Sequence, residues 1–445
     1  MLLLGLALAQ DVSVGGHAAA NLRLGLCGPP YVGLCPWLDF HDTAVLGGEV
    51  DARFARAADA RLAVDLRAHA GPATSSLEES GDPRLAQNTS FKLHDAWIGG
   101  YGRFVDWRVG SQRLNWGTAD GLNPVDAVNP YDLENPTRFD QRLAVPMVRA
   151  RLHTDGLWWL ELAAVPWFTP ALMPTDVIDV LGDNETRLDL VDANADIGRL
   201  ESRAEVPPAQ LSEMAFGARL FVPTRAGEFA LSGYRGRDSL PQVGGELRIT
   251  GFAAENDRVD VGVPITWPRV MQAGFEWRGE LPADAIGWVE AVVVFPEEVV
   301  VTFNRPQLEN LERLGTIDEV PDPLPSETIQ DGQPYPRLVA GLDRTLGQVY
   351  VNVQYAYGFP TERTRSELNH YGILYSRWSV RPTVALEARV VTDGAGLLAD
   401  AHVTRLYGDA VELTLGATWI GGPDDSALGA FREVRHAHTG ATVHF

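Results

Sequence analysis

The chain has 445 residues, 45% of them hydrophobic, and a formal net charge of −22. No apolar run approaches the ~18 to 20 residues that a membrane-spanning helix needs, and the acidity excludes a nucleic-acid partner, whose phosphates demand a basic face. Cys27 and Cys35, the only cysteines, are too few for a disulfide scaffold or a four-thiolate zinc site.

Residues 1–9 end in Ala7-Leu8-Ala9, a small-residue cleavage box behind an apolar segment. They read as part of a secretory signal peptide without its basic n-region. The expectation is a start placed too far downstream, and the alternative is a buried first strand. Residues 10–445 then form a single domain. Its dominant signal is period-two alternation in segments of roughly ten residues. Glu49-Val50-Asp51-Ala52-Arg53-Phe54 alternates, and after the turn Ala57-Ala58-Asp59 the pattern resumes. Leu62, Val64, Leu66 and Ala68 then oppose Arg61, Asp65, Arg67 and His69. The same reading holds for Met271–Trp277, Val349–Tyr357, Leu386–Val390 and Val411–Trp419. Asp95 breaks the pattern by sharing a parity with Phe91, Leu93 and Trp97, which marks a bulge or a misread register.

Connection lengths alternate as well. Short ones fall at 57–59, 99–102, 154–156, 224–227, 281–285, 345–347, 381–382 and 408–409. Long ones lie near 73–88, 115–143, 168–210, 302–334 and 421–428. Strands closed into a barrel satisfy every backbone N–H and C=O inside a bilayer. Short periplasmic turns and long extracellular loops are the mark of the outer-membrane kind. The expected fold is therefore all-β, a transmembrane antiparallel β-barrel of about 18 strands within a range of 16 to 20. It reaches 20 if 243–265 adds a hairpin. The first strand, about 12–26, rises from the periplasm, and the last, about 429–445, descends to it. The terminal Phe445, with apolar residues at alternate preceding positions, is similar to the signal read by the barrel-assembly machinery.

The most specific stretch is Gly110-Ser111-Gln112-Arg113-Leu114-Asn115-Trp116-Gly117, followed by Asp120, Asn123-Pro124-Val125-Asp126 and Asn129-Pro130. This G-x-Q strand, Trp-Gly exit and Asn-Pro loop resembles a family of porin-like outer-membrane barrels over about 105–150. It is more loosely similar to alginate-export barrels. The first resemblance implies a channel, and the second implies polysaccharide export. Trp267-Pro268-Arg269 leading into Gly274-Phe275-Glu276 is a second echo. Read physically, two Asn-Pro pairs and several Asp residues make tight turns. Such an ordered loop is either an inward constriction or a plain surface loop.

Asp106 and Arg108 share one strand face, Arg149 and Arg151 another, and Glu161 lies on a third strand between Leu160 and Leu162. If the lipid side is apolar, these charges face the lumen. They either set up a transverse field around a solute or form a structural ion-pair ladder. The sequence reading puts Asp120, Asp126 and Asp132 of the loop opposite Arg149 or Arg151. Acidic residues across 168–205 lack EF-hand spacing and read as a solvated loop. Leu308, Leu311 and Leu314 have helical spacing in another long loop. Cys27 and Cys35 flank an extracellular loop in an oxidising compartment and are expected to form a disulfide. His436 and His438 share a strand face without a third ligand, so no metal site is assigned. No cofactor is called for, and no H-E-x-x-H, G-x-S-x-G or P-loop motif is present, so the chain is not read as an enzyme.

The functional expectation is a porin-type channel in the outer membrane of a Gram-negative bacterium, passing small polar solutes. The alternatives are polymer export and a non-conducting barrel that displays loops. Expected partners are outer-membrane lipid, lipopolysaccharide and the solute.

Overall fold

A strand with one apolar face can leave water only if both of its edges are paired. The computed structural model describes residues 11–27, 33–34, 42–54, 58–70, 89–119, 121–133, 140–172, 196–253, 258–313, 319–423, 426–429 and 435–445. In it, 18 antiparallel strands close into a barrel. They are β1 (Asp11–Cys27), β2 (Asp42–Phe54), β3 (Ala58–Ala70), β4 (Thr89–Tyr101), β5 (Val105–Gln112) and β6 (Val145–His153). Next come β7 (Trp159–Val165), β8 (Ala215–Thr224), β9 (Gly227–Arg237), β10 (Arg269–Leu281), β11 (Ala285–Pro296) and β12 (Tyr335–Leu346). The wall ends with β13 (Val349–Tyr357), β14 (His370–Arg381), β15 (Val384–Thr392), β16 (Leu397–Tyr407), β17 (Val411–Gly421) and β18 (His436–His444).

β18 pairs with β1 from His17↔His444 to Gly25↔His436 and so removes both edges. Phe445 finishes the seam. The Gly16 N–H donates to its carbonyl at 2.8 Å, and its own N–H donates to the Gly16 carbonyl at 3.0 Å. The Phe445 ring lies over Gly16 on the outer face, where a Cβ would come within 2.7 Å of it.

Outward positions carry Leu66, Phe91, Trp107, Leu231, Leu374 and Leu415, with Phe91 67% and Leu415 65% exposed. An apolar belt around a closed barrel is stable against lipid and not against water. Together with short turns at one end and long connections at the other, it places the protein in the outer membrane of a Gram-negative bacterium. The eight short connections run from 55–57 between β2 and β3 to 408–410 between β16 and β17. Gly347 (φ +63°) and Gly408 (φ +62°) supply the left-handed backbone that two of these turns require.

The anomaly at Asp95 is a bulge. Val64 pairs with Leu93 but Ala63 pairs with Asp95, so His94 is the extra residue. The parity switches there: Phe91 faces lipid, whereas Asp95 and Trp97 face inward. The 243–265 segment does form a hairpin, Gly245–Ala253 with Arg258–Thr266, but not in the wall. It belongs to a separate six-stranded sheet at the extracellular end. Arg258–Thr266 pairs in parallel with Asp196–Ala204, and Gly245–Ala253 pairs in parallel with Glu298–Phe303. Ser326–Asp331 flanks the last of these, and Gln242–Val243 continues along Arg258–Thr266. Three extracellular connections, those after β7, β9 and β11, are thus knitted into one cap. Leu247, Val261 and Val301 form its core. The expected helix is present as α1 (Arg305–Arg313). Its Gln307 exchanges hydrogen bonds with the Ile249 backbone at 2.9 and 3.2 Å. Residues 1–10, Cys35, Asp120, Leu314 and, within the acidic stretch 168–205, residues 173–195 lie outside the described residues. Cys27 ends β1, and its pairing with Cys35 is likewise outside them.

Candidate functional site

The described part of the connection after β5, residues 113–119, 121–133 and 140–144, does not project from the barrel end. It folds into the lumen, and local hydrogen bonds explain how. Asn129 is almost fully buried and ties the two ends of the loop together. Its Oδ1 accepts the Leu114 N–H at 2.8 Å, and its Nδ2 donates to the carbonyls of Gln112 at 3.2 Å and Leu143 at 2.7 Å. Asn123 organises the turn: its Oδ1 accepts the N–H groups of Val125 and Asp126, and its Nδ2 donates to the Trp116 carbonyl at 2.6 Å. Both residues belong to the Asn-Pro pairs of the sequence, so the compact loop follows from their side-chain chemistry.

The loop is anchored on inward faces around the barrel. Trp116 donates from Nε1 to Glu161 Oε1 of β7 at 2.7 Å. Trp116 and Val128 pack over Gly217 of β8, and Val125 lies over Gly274 of β10. Further round, the fully buried carboxylate of Glu290 on β11 accepts the backbone N–H groups of Thr118 and Ala119, the latter at 2.6 Å. Leu122 enters an apolar cluster with Trp288, Val339, Tyr371, Leu398 and Ile420 on the inner faces of β11, β12, β14, β16 and β17. Asp140 reaches Arg389 of β15 at 3.8 Å. The chain that leaves β5 therefore touches the wall on the opposite side of the barrel. From above, Tyr131 and Leu133 pack beneath Ala171, Leu240, Ile265 and Trp267, at the base of the cap.

The charges singled out in the sequence take definite partners. Arg149 and Arg151 of β6 converge on Glu161 Oε2 at 2.5 and 2.8 Å. Beside them, Arg219 of β8 makes a two-pronged contact with Glu276 of β10, at 2.8 and 2.6 Å. Asp106 holds His153 at 2.6 Å close to the periplasmic turn. Arg108 stacks on Trp97 at 3.9 Å and donates to the Tyr101 hydroxyl at 3.2 Å. All of these lie on the parity opposite the exposed Val105, Trp107, Val109 and Leu162. In the loop, Asp126 faces Arg142 at 3.5 Å, and Asp132 is bridged to Lys92 of β4. The expected facing of these loop carboxylates onto Arg149 or Arg151 is replaced by these pairs. Burial pushes the Asp126 carboxyl up to about 6, against the opposing pull of Arg142. His436 and His438 of β18 have ring centroids 5.6 Å apart, with His402 of β16 at 6.3 Å from His438.

Glu290, Glu276, Arg219 and Lys92 were not singled out from the sequence. Glu290 had a usable signal, because it is the one charge in the apolar run Val289–Phe295. A lone inward carboxylate in such a run needs a partner.

The family described as "Protein of unknown function (DUF1302)" matches residues 43–169, from β2 through β7 and including the whole inward loop. The stretch 105–150 that carries the sequence resemblance lies inside this segment. No curated protein matches the sequence. Among solved structures the chain is similar to OccAB4 of Acinetobacter baumannii, at 6% identity, 98% coverage of both chains and a TM-score of 0.53. OccAB2 of the same organism gives 7% identity, 98% of both chains and 0.51. OccK9 (OpdG) of Pseudomonas aeruginosa gives 10%, 98% of both chains and 0.51. The fold is that of the outer-membrane porins. At these identities the likeness extends to architecture, and activity has to be argued from the site.

Proposed function

We propose that the protein is a passive channel for small polar solutes, without enzymatic activity, and that the loop 113–144 is its constriction. The observation that carries this reading is the path of the loop, from β5 to Glu290 on β11 and Arg389 on β15. A wall of about 18 strands encloses more cross-section than its own side chains fill. An ordered loop fixed to the far wall narrows that space to a passage with charges at set positions, and such charges decide which solutes pass. Asp106, Arg108, Arg149, Arg151 and Glu161 line it from the wall, and Asp126 and Asp132 from the loop. The arginines beside the loop carry carboxylate partners, which favours small solutes over a polyanion needing a basic track. The strand ending in Phe445 is the element offered to the barrel-assembly machinery.

A second reading, a non-conducting barrel, is favoured by one observation. Phe359 and Leu428, from other extracellular connections, join Leu122 in the same apolar cluster. Planar-bilayer recording of the refolded protein tests both, comparing wild type with a variant whose residues 118–128 are replaced by a short Gly-Ser link. Discrete openings in wild type, larger in the variant, are expected. Openings confined to the variant would establish the closed barrel, and silence in both would end the channel proposal.

A further inference from the structure

The outer face of β6–β11 is not a smooth cylinder. Two rows of outward residues follow from the strand register. The lower row reads Ala150, Leu162, Ala218, Gly233, Ala273 and Val293. The upper row, one step closer to the extracellular end, reads Val148, Ala164, Phe216, Arg235, Met271 and Phe295. Small side chains in the lower row and at Ala164, overhung by Phe216, Met271 and Phe295, leave an apolar groove of about 740 Å³. It lies in the half of the belt that contacts the outer leaflet.

Arg235 does not fit an ordinary lipid-facing row. It is exposed on the outer face between Phe216 and Met271 and has no ion-pair partner among the described residues. A guanidinium on the lipid side is costly at depth and tolerated near an interface where it meets an anion. Directly above, a second pocket of about 440 Å³ shares Phe216, Arg235, Met271 and Phe295 with the groove. Its polar walls carry Arg237 and Arg269, both bound to Glu213 at 2.7 and 2.9 Å, and Glu297, which accepts the Arg269 N–H at 2.7 Å. Three arginines face two carboxylates there, so the pocket has a net positive charge with Arg235 as its unmatched member.

We infer that this surface binds one molecule of outer-leaflet lipopolysaccharide through its lipid A, with an acyl chain in the groove and a phosphate on Arg235. An apolar groove continuous with a cationic pocket matches a ligand that joins hydrocarbon to a phosphorylated headgroup. A second copy of the chain fits less well, because a symmetric contact here would bring two unmatched Arg235 side chains together. The site is on the outside of the wall and is independent of what the lumen conducts.

The test is native mass spectrometry of the protein extracted from outer membranes and then titrated with purified lipid A or with phosphatidylglycerol. Wild type should retain one lipid A per barrel. Arg235→Ala should weaken binding about tenfold, as loss of a charge-assisted contact to phosphate would. Gly233→Leu, which fills the groove floor, should weaken it with Arg235 intact. Heat-modifiable migration would show that both variants fold, and their unitary conductance should equal that of wild type. Equal binding of phosphatidylglycerol, lipid A binding unchanged in both variants, or a lipid-free oligomer lost on Gly233→Leu would overturn the assignment.

Discussion

Replacing Glu290 with alanine should release the inward loop without unfolding the barrel. In the wild type one buried carboxylate oxygen accepts the N–H groups of Thr118 and Ala119. A hydrogen bond to a buried carboxyl contributes roughly 1.5 kcal/mol, where the neutral and charged ranges meet, so losing both weakens the anchor by about 3 kcal/mol. At 1.4 kcal/mol per tenfold, the released state becomes about a hundredfold more populated. Trp116 on Glu161 and Leu122 in its apolar cluster still hold the loop, so it opens more often and is not lost. The wall should be indifferent, because the substitution also removes a polar carboxyl group that was costly to bury. Amide hydrogen exchange across 114–126 in detergent reads the change directly. Exchange there should quicken by about two orders of magnitude while β11 and β12 stay protected, and Glu290→Gln, which keeps a neutral acceptor, should fall in between. Identical exchange in wild type and Glu290→Ala would show that the carboxylate does not hold the loop.

Glu161→Gln should uncover the charges of Arg149 and Arg151 and move the reversal potential under a salt gradient toward anions; an unmoved potential would take this triad out of the conduction path. Asp126 has its carboxyl raised to about 6 by burial, so the folded loop binds the proton more tightly than the released one. Anchoring of the loop should therefore strengthen as pH falls from 7 through 6 and level off below about 4, seen as slower exchange over 121–133 after correction for intrinsic rates. Asp126→Asn should remove that dependence. Denaturing, non-reducing thiol labelling should find neither Cys27 nor Cys35 free, and full labelling of both would refute the bridge.

Alternation was enough to read the wall because lipid and lumen impose opposite chemistry on successive residues, as at Leu62, Val64 and Leu66 against Arg61 and Asp65. It failed where the chain leaves that rule. The extra residue at His94 reverses the parity of Asp95; the broken alternation there announced an irregularity but could not decide between a bulge and a misread register. The 245–266 hairpin alternates like a wall hairpin, yet its place is set by parallel pairing with Asp196–Ala204 and Glu298–Phe303, remote in sequence. The lumenal parity of Arg149, Arg151 and Glu161 was legible, but the partners of Asp126 and Asp132 were not. Those depend on where Trp116, Leu122, Val125 and Val128 dock, and a loop without periodicity does not encode its docking surface in any repeat.

The cap sheet bears on the order in which this molecule can be assembled. Its pairings involve only residues between Asp196 and Asp331, all drawn from connections of the β7–β12 sector. Among the described residues none of its strands pairs with β1 or β18, whose union closes the cylinder. The register of the cap is thus fixed without the closing seam, so the cap can form whether the cylinder is still an open sheet or already shut.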